Sequence, residues 1–288
     1  MMPGGMGATA PERGSRDVTA RGIRMRVLSA GEPSAPPLVL VHDFLSSHLE
    51  FDDVIDPLAE RFHVVSPDLP GFGESEKPSP TRYAYGVEAF TEAVADLMAA
   101  YGLGRSCVVG HGLGGAVGLT LAAHHAELVR RLVLVGPLCY TVALRERMRV
   151  PLLPIVGRVL FKQLWGRRRF RAFYRDDVFS EASDLPLARI DRLYDCFNSP
   201  SARESAYAVL ESMLDTRPVV ARVSRVRQPT LVVWGRDDRL MPASAALKLG
   251  RELEDARLEL FDAGHAPHQE RPAEFVGVVR EFCEGGRG

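Results

Sequence analysis

Short apolar runs bounded by turn-forming residues recur along the chain, at Pro37 to Val41, His63 to Ser66, Cys107 to Val109, Leu132 to Val135, Leu231 to Trp234 and Leu258 to Phe261. They lack the in-out alternation of a half-exposed strand, so they read as strands buried on both faces, as in a parallel sheet. Between them lie stretches of helical character, including Val87 to Tyr101, Gly115 to His125, Ala243 to Leu253 and Pro272 to Cys283. Strand and helix alternate, which predicts an α/β fold with a mostly parallel, doubly wound sheet. Ahead of it, Asp17 to Gly22 and Ile23 to Ala30 read as an antiparallel edge hairpin.

The alternation stops after Gly136-Pro137 and resumes at Gln228-Pro229-Thr230. The segment between is helix-like, arginine-rich and aromatic, and is expected to be a helical lid over the carboxyl edge of the sheet, where open α/β sheets place their ligands. The expected organisation is a disordered tail over residues 1–17, a core over 18–138, the lid over 139–227 and the rest of the core over 228–288. Phe161, Trp165, Phe170, Phe173 and Tyr174 interleave with Arg167, Arg168, Arg169 and Arg171, as in amphipathic helices with aromatics inward and arginines in water. Arg145 to Arg175 carries ten Lys or Arg against one acid, Glu146, so a surface that meets anionic lipid or an acidic partner is the alternative reading.

Composition narrows the class. With 288 residues, 46% apolar and 25% charged, the chain buries a large core. A net charge of −1 argues against a nucleic-acid footprint spread over the surface. The apolar stretch Val150 to Trp165 is broken by Pro151, Pro154, Arg158 and Lys162, so no integral membrane span is expected. Met1 to Asp17 has no apolar signal core, and a cytoplasmic location follows as an expectation. Cysteines 107, 139, 196 and 283 show neither a CxxC pair nor ligand spacing, so no disulfide frame, metal or cofactor is expected.

The chemistry concentrates in the run from Ser106 to Gly118, which reads as a buried strand, a sharp turn and a small-residue helix. That is the context of a nucleophile elbow, Gly-x-Nuc-x-Gly, filled here by Gly110, His111, Gly112, Leu113 and Gly114. Glycine tolerates the strained central conformation and relaxes the turn by roughly 1–3 kcal/mol, but it removes the attacking atom. The same residues spell Gly110-x-Gly112-x-x-Gly115, a dinucleotide fingerprint. The next strand ends in Gly136 with no acid for a ribose hydroxyl, and the motif follows several strands, so nucleotide binding is not the reading adopted.

Strand, elbow, insertion, late acid and later histidine resemble the α/β-hydrolase fold superfamily from about Asp17 to Cys283, in its esterase, epoxide-hydrolase and dehalogenase-like branches. Val41-His42-Asp43-Phe44 is similar to its oxyanion loop, Pro67-Asp68-Leu-Pro-Gly71-Phe-Gly73-Glu-Ser75 to its turn after the fourth strand, Trp234-Gly235-Arg-Asp-Asp238 to its acid loop, and Gly264-His265-Ala-Pro-His268 to its histidine loop. The resemblance implies His265 as base and Asp238 as the acid that fixes its tautomer. Asp237, the competitor, suits a local backbone cap. Backbone N–H groups of Leu113 and Phe44 are the implied oxyanion hole. Asp43 departs from the usual glycine there. It is expected to point away into a turn, the alternatives being that it fills the hole, repels an oxyanion or acts as a substitute carboxylate. His42, Asp68, His111 and His268 are expected to make structural hydrogen bonds.

The function expected from these readings is hydrolysis of a small apolar ester, lactone or related carbonyl compound without a nucleophile at Gly112. His265 and Asp238 would act as a general-base dyad on a water held in the space the missing side chain leaves. The alternatives are a non-catalytic ligand-binding protein that keeps the pocket, or a nucleophile-to-glycine variant of an ordinary hydrolase.

Overall fold

The computed structural model describes residues 13–140, 156–181 and 185–285. Eight strands form one sheet: β1 (Arg13–Ala20), β2 (Ile23–Ala30), β3 (Pro37–Val41), β4 (His63–Pro67), β5 (Ser106–His111), β6 (Val129–Val135), β7 (Thr230–Gly235) and β8 (Ala256–Phe261). Their spatial order is β1-β2-β4-β3-β5-β6-β7-β8, with β1 and β2 antiparallel and β3 to β8 mutually parallel. Strands β3 to β7 are buried on both faces, which is why they read as apolar runs; the reading of β8 is corrected, because as an edge strand it is only half-buried and alternates Leu258-Glu259-Leu260. Leu38, Leu40, Val133 and Val233 pack on one side with Phe51 and Phe275, and Val39, Val41, Val108, Leu132 and Val232 on the other.

The expected tail of residues 1–17 ends too late, because β1 starts at Arg13; residues 1–12 lie outside the described residues. Arg13 to Asp17 are exposed and show no apolar face, so nothing in their pattern marks a strand. Backbone pairing with β2, from Arg13↔Ala30 to Ala20↔Ile23, holds them, and Arg13 adds ion pairs to Asp52 and Asp56.

Helices cover the sheet: α1 (Asp52–Ala59), α2 (Val87–Ala100) and α3 (Leu113–His124) come before the interruption. α3 is buried from Leu113 to Ala122, and its glycines let it lie against the strands. A β-carbon on Gly114 would sit within 3.0 Å of the Val41 and His42 carbonyl oxygens. Between β6 and β7 the described residues hold α4 (Val156–Leu164), α5 (Arg167–Phe173), α6 (Leu187–Phe197), α7 (Pro200–Ser212) and α8 (Arg217–Val223), with no strand among them. Phe161, Phe170 and Tyr174 point inward, while Arg167 pairs with Asp191 and Asp195, and Arg171 with Asp191. Contacts across the sheet's carboxyl edge seat this segment: the Tyr174 hydroxyl donates to Leu45 O at 3.2 Å, and the His265 N–H to Val178 O at 2.7 Å. The chain closes with α9 (Ser244–Glu252), the single turn α10 (Pro267–Glu270) and α11 (Pro272–Glu284). Among the described residues no helix is long and apolar enough to cross a membrane.

Candidate active site

Register decides which loops meet. β3 and β5 are parallel neighbours with Val41 opposite Gly110, so Asp43 and Gly112, each two residues further on, leave the sheet side by side. Gly112 caps α3 with φ +50° and ψ −111°, a left-handed conformation that favours glycine. Leu45, on the facing loop, also has positive φ, +57°.

The space beside Gly112 is filled. A β-carbon built there would fall within 3.0 Å of all three atoms of the Asp43 carboxyl group. Asp43 Oδ1 accepts from the Leu113 N–H at 2.6 Å, and Oδ2 faces His265 Nε2 at 3.3 Å. Two expectations are therefore corrected: Asp43 does not point away into a turn, and the space expected to hold a water holds this carboxylate. The physical reason is an unmet demand for an anion. Gly112 offers no side chain to cap α3, the helix N-terminus leaves Leu113 N–H free, and His265 presents a ring nitrogen to the same point. Phe44, the other expected oxyanion donor, follows on this loop with its ring edge-on to Phe72, centroids 6.0 Å apart.

His265 follows β8 and Asp238 follows β7, two adjacent parallel strands in which Gly235 pairs with Phe261. His265 Nδ1 donates to Asp238 Oδ2 at 2.7 Å, and Asp238 Oδ1 accepts from the N–H groups of Leu240 (2.9 Å) and Met241 (2.8 Å), which fix the carboxylate. Asp237 is exposed, its N–H bonded to Ala263 O. The imidazole thus lies between two carboxylates. Burial alone would discharge it, but the charge and hydrogen bond of Asp238, then those of Asp43, outweigh burial and push its pKa up to about 10. Asp43 is the mirror case. Burial works against its charge, but the hydrogen bond from His265, the histidine charges and the Leu113 N–H bring it down to about 2. Both shifts favour an imidazolium facing a carboxylate.

Behind this pair lies a buried polar layer. His111 Nε2 donates to His265 O at 2.9 Å, so it carries a proton, and Nδ1 lies 3.1 Å from Glu50 Oε1. Glu50 also accepts from the Asp43 N–H at 3.2 Å. Glu50 escaped the sequence reading; its only signal is a carboxylate between the apolar Leu49 and Phe51. His42 Nδ1 donates to Asp43 O (2.7 Å) and Nε2 accepts from Leu69 N–H (2.9 Å), which anchors the loop backbone. Asp68 accepts from His48 and from the Glu74 N–H. His268 is fully buried, without the structural hydrogen bond expected of it, and burial holds it neutral. Two groups, Asp43-His111-His265 and Glu50-His111-His268, bring potential ligand atoms within 4.8 Å of one another. In the first, both His265 nitrogens already face carboxylates.

A narrow, mostly apolar cavity opens beside the loop, lined by Leu45, Phe72, Leu193, Cys196, Phe197 and Ala206 among others. A parallel sheet that delivers a turn before a buried helix, an acid and a histidine from the carboxyl ends of successive strands defines a hydrolase-type site. The chain belongs to the alpha/beta hydrolase fold family, whose model matches residues 36–272. It is 28% identical to the 2-hydroxy-6-oxo-2,4-heptadienoate hydrolase of Pseudomonas putida over 281 residues, 93% of this chain and 95% of that one. It is 26% identical to haloalkane dehalogenase 2 of Mycobacterium bovis over 270 residues, 90% of this chain and 91% of the relative. In fold it is similar to the 2-hydroxy-6-oxo-6-phenylhexa-2,4-dienoate hydrolase of a Rhodococcus species, with TM-score 0.83 and 24% identity over 96% of this chain and 100% of the other.

Proposed function

We propose that the chain is a hydrolase acting on a small apolar compound with an electrophilic carbon, an ester, lactone or epoxide, in which His265 oriented by Asp238 handles the proton and residue 112 contributes no attacking atom. One observation carries this reading: Nδ1 of a buried imidazole is fixed on Asp238 at 2.7 Å, while Nε2 turns to the place where an elbow side chain would stand. A carboxylate on one ring nitrogen sets the orientation for proton transfer at the other. The described helices between β6 and β7 serve as the lid over the carboxyl edge of the sheet.

The test is a turnover screen over acyl esters, lactones and epoxides with wild type, His265→Ala and Asp238→Asn. His265→Ala should abolish product formation, and Asp238→Asn should cut it by roughly 10⁴-fold through loss of imidazole orientation. Ligand binding untouched by His265→Ala, with no product from any class, would make the chain a binding protein instead.

A further inference from the structure

We propose that Asp43 is the covalent nucleophile of this chain, supplied by the loop after β3 across from the empty elbow, and that it takes substrates with an epoxide ring. The inference rests on the hydrolase reading above and specifies its chemistry.

Three observations converge. The Asp43 carboxyl group occupies the volume a side chain on residue 112 would need, so the attacking position is filled from the neighbouring strand's loop. Its two oxygens have different surroundings: Oδ1 is held by the Leu113 N–H at the start of α3, while Oδ2 faces His265 Nε2. The Asp43 side chain keeps 15% of its surface exposed against 2% for His265 and none for Asp238, so Asp43 is the member of the trio that a substrate can reach.

This arrangement selects among electrophiles. An acyl substrate needs a donor for the oxyanion that grows on its own carbonyl, but the Leu113 N–H is taken by Oδ1. That N–H is placed instead for an oxyanion that forms on Asp43 itself. Attack on a saturated carbon needs no substrate oxyanion hole, only a carboxylate and a proton for the leaving oxygen. The resting pair supplies both.

In the first step an Oδ2 lone pair forms a bond to one ring carbon of the epoxide. The carbon–oxygen bond of the ring breaks, and its electron pair goes to the ring oxygen, which takes the proton from His265 Nε2. Asp43 becomes a neutral ester and His265 a neutral imidazole. Esterification removes one of the two carboxylates facing His265, leaving Asp238 beside it and His111 behind, so the imidazole loses part of what held its proton. It can then accept a proton from water as the hydroxide adds to Asp43 Cγ, with the oxyanion on Oδ1 at the Leu113 N–H. Collapse breaks the bond from Cγ to the ester oxygen. The diol leaves with the remaining water proton, and the carboxylate and imidazolium are restored.

Oxygen tracing tests this with styrene oxide, 1,2-epoxyoctane and cyclohexene oxide as probes. With enzyme in excess in 18O-water, the first diol should carry no 18O, because its new oxygen was Asp43 Oδ2. After many turnovers the peptide containing Asp43 should carry 18O. Asp43→Asn, checked for native circular dichroism, should lose turnover by roughly 10³-fold or more. Asp43→Gly combined with Gly112→Asp should return part of it by restoring a carboxylate to the same place. Diol labelled in the first turnover, Asp43 left unlabelled and turnover kept in Asp43→Asn but lost in His265→Ala would overturn the nucleophile while leaving the hydrolase reading intact. Turnover of esters or lactones with none of the epoxides would overturn the proposal in the same way. No turnover of any class would remove both.

Discussion

The structure makes Gly112 and Asp43 interdependent, and a double-mutant cycle measures the dependence. Gly112→Ser places a side chain at φ +50°, ψ −111°, a strain of roughly 1–3 kcal/mol. In the wild-type background its β-carbon also collides with the Asp43 carboxyl group, which must swing out. That move breaks the 2.6 Å bond from the Leu113 N–H, a hydrogen bond to a charged acceptor worth about 1.5–3 kcal/mol, and takes a carboxylate away from the His265 imidazolium. Gly112→Ser alone should therefore destabilise by roughly 2.5–6 kcal/mol, but only by about 1–3 kcal/mol when Asp43→Gly has already emptied the space. The coupling, about 1.5–3 kcal/mol, is read from urea unfolding of wild type, both single variants and the double variant, provided the denaturant slope is common to all four. Additive effects, with coupling under about 0.5 kcal/mol, would show that the carboxylate does not occupy the elbow and would refute the reasoning.

Three further outcomes follow from the same geometry. The raised His265 pKa contributes stability that is complete below its ordinary value of 6.5 and is lost as pH rises through about 10, while the lowered Asp43 pKa contributes stability present above 3.8 and lost as pH falls through about 2. The stability gap between wild type and Asp43→Asn in urea should thus be widest between those ordinary values and shrink towards alkaline pH; a gap that stays constant up to pH 10 would contradict the pairing. Because Arg167 is engaged by Asp191 and Asp195, replacing Arg167, Arg168 and Arg169 with glutamine should leave sedimentation with anionic liposomes unchanged; salt-sensitive pelleting of the wild type alone would favour a lipid-facing surface. Gly114→Ala should lower stability by about 1–3 kcal/mol by calorimetry, since its β-carbon meets the backbone oxygens of Val41 and His42, which cannot rotate away; an unchanged melting temperature would mean that α3 can shift.

Most of the fold was legible because the inner parallel strands, from Pro37 to Trp234, are buried on both faces and show it as apolar runs, whereas the edge strand β8 is half-exposed and alternates. Where a strand is held by backbone pairing alone, as at Arg13 to Asp17, side-chain pattern carries no trace of it. In the site, the acid and histidine loops were legible because each depends on local spacing: Asp238 and His265 sit where their motifs put them, 2.7 Å apart. Asp43 was not, because the direction of a loop side chain is set by what stands opposite, and the register of β3 against β5 is a long-range fact. Glycine at position 112 read from sequence as a loss. Beside Asp43 it is a requirement, because any larger residue would exclude the carboxylate that now caps α3 and charges His265. Neither residue is interpretable alone: an aspartate in the oxyanion loop of a chain with a filled elbow would be a clash, and an empty elbow without it would leave Leu113 N–H and His265 Nε2 facing each other with no anion between them.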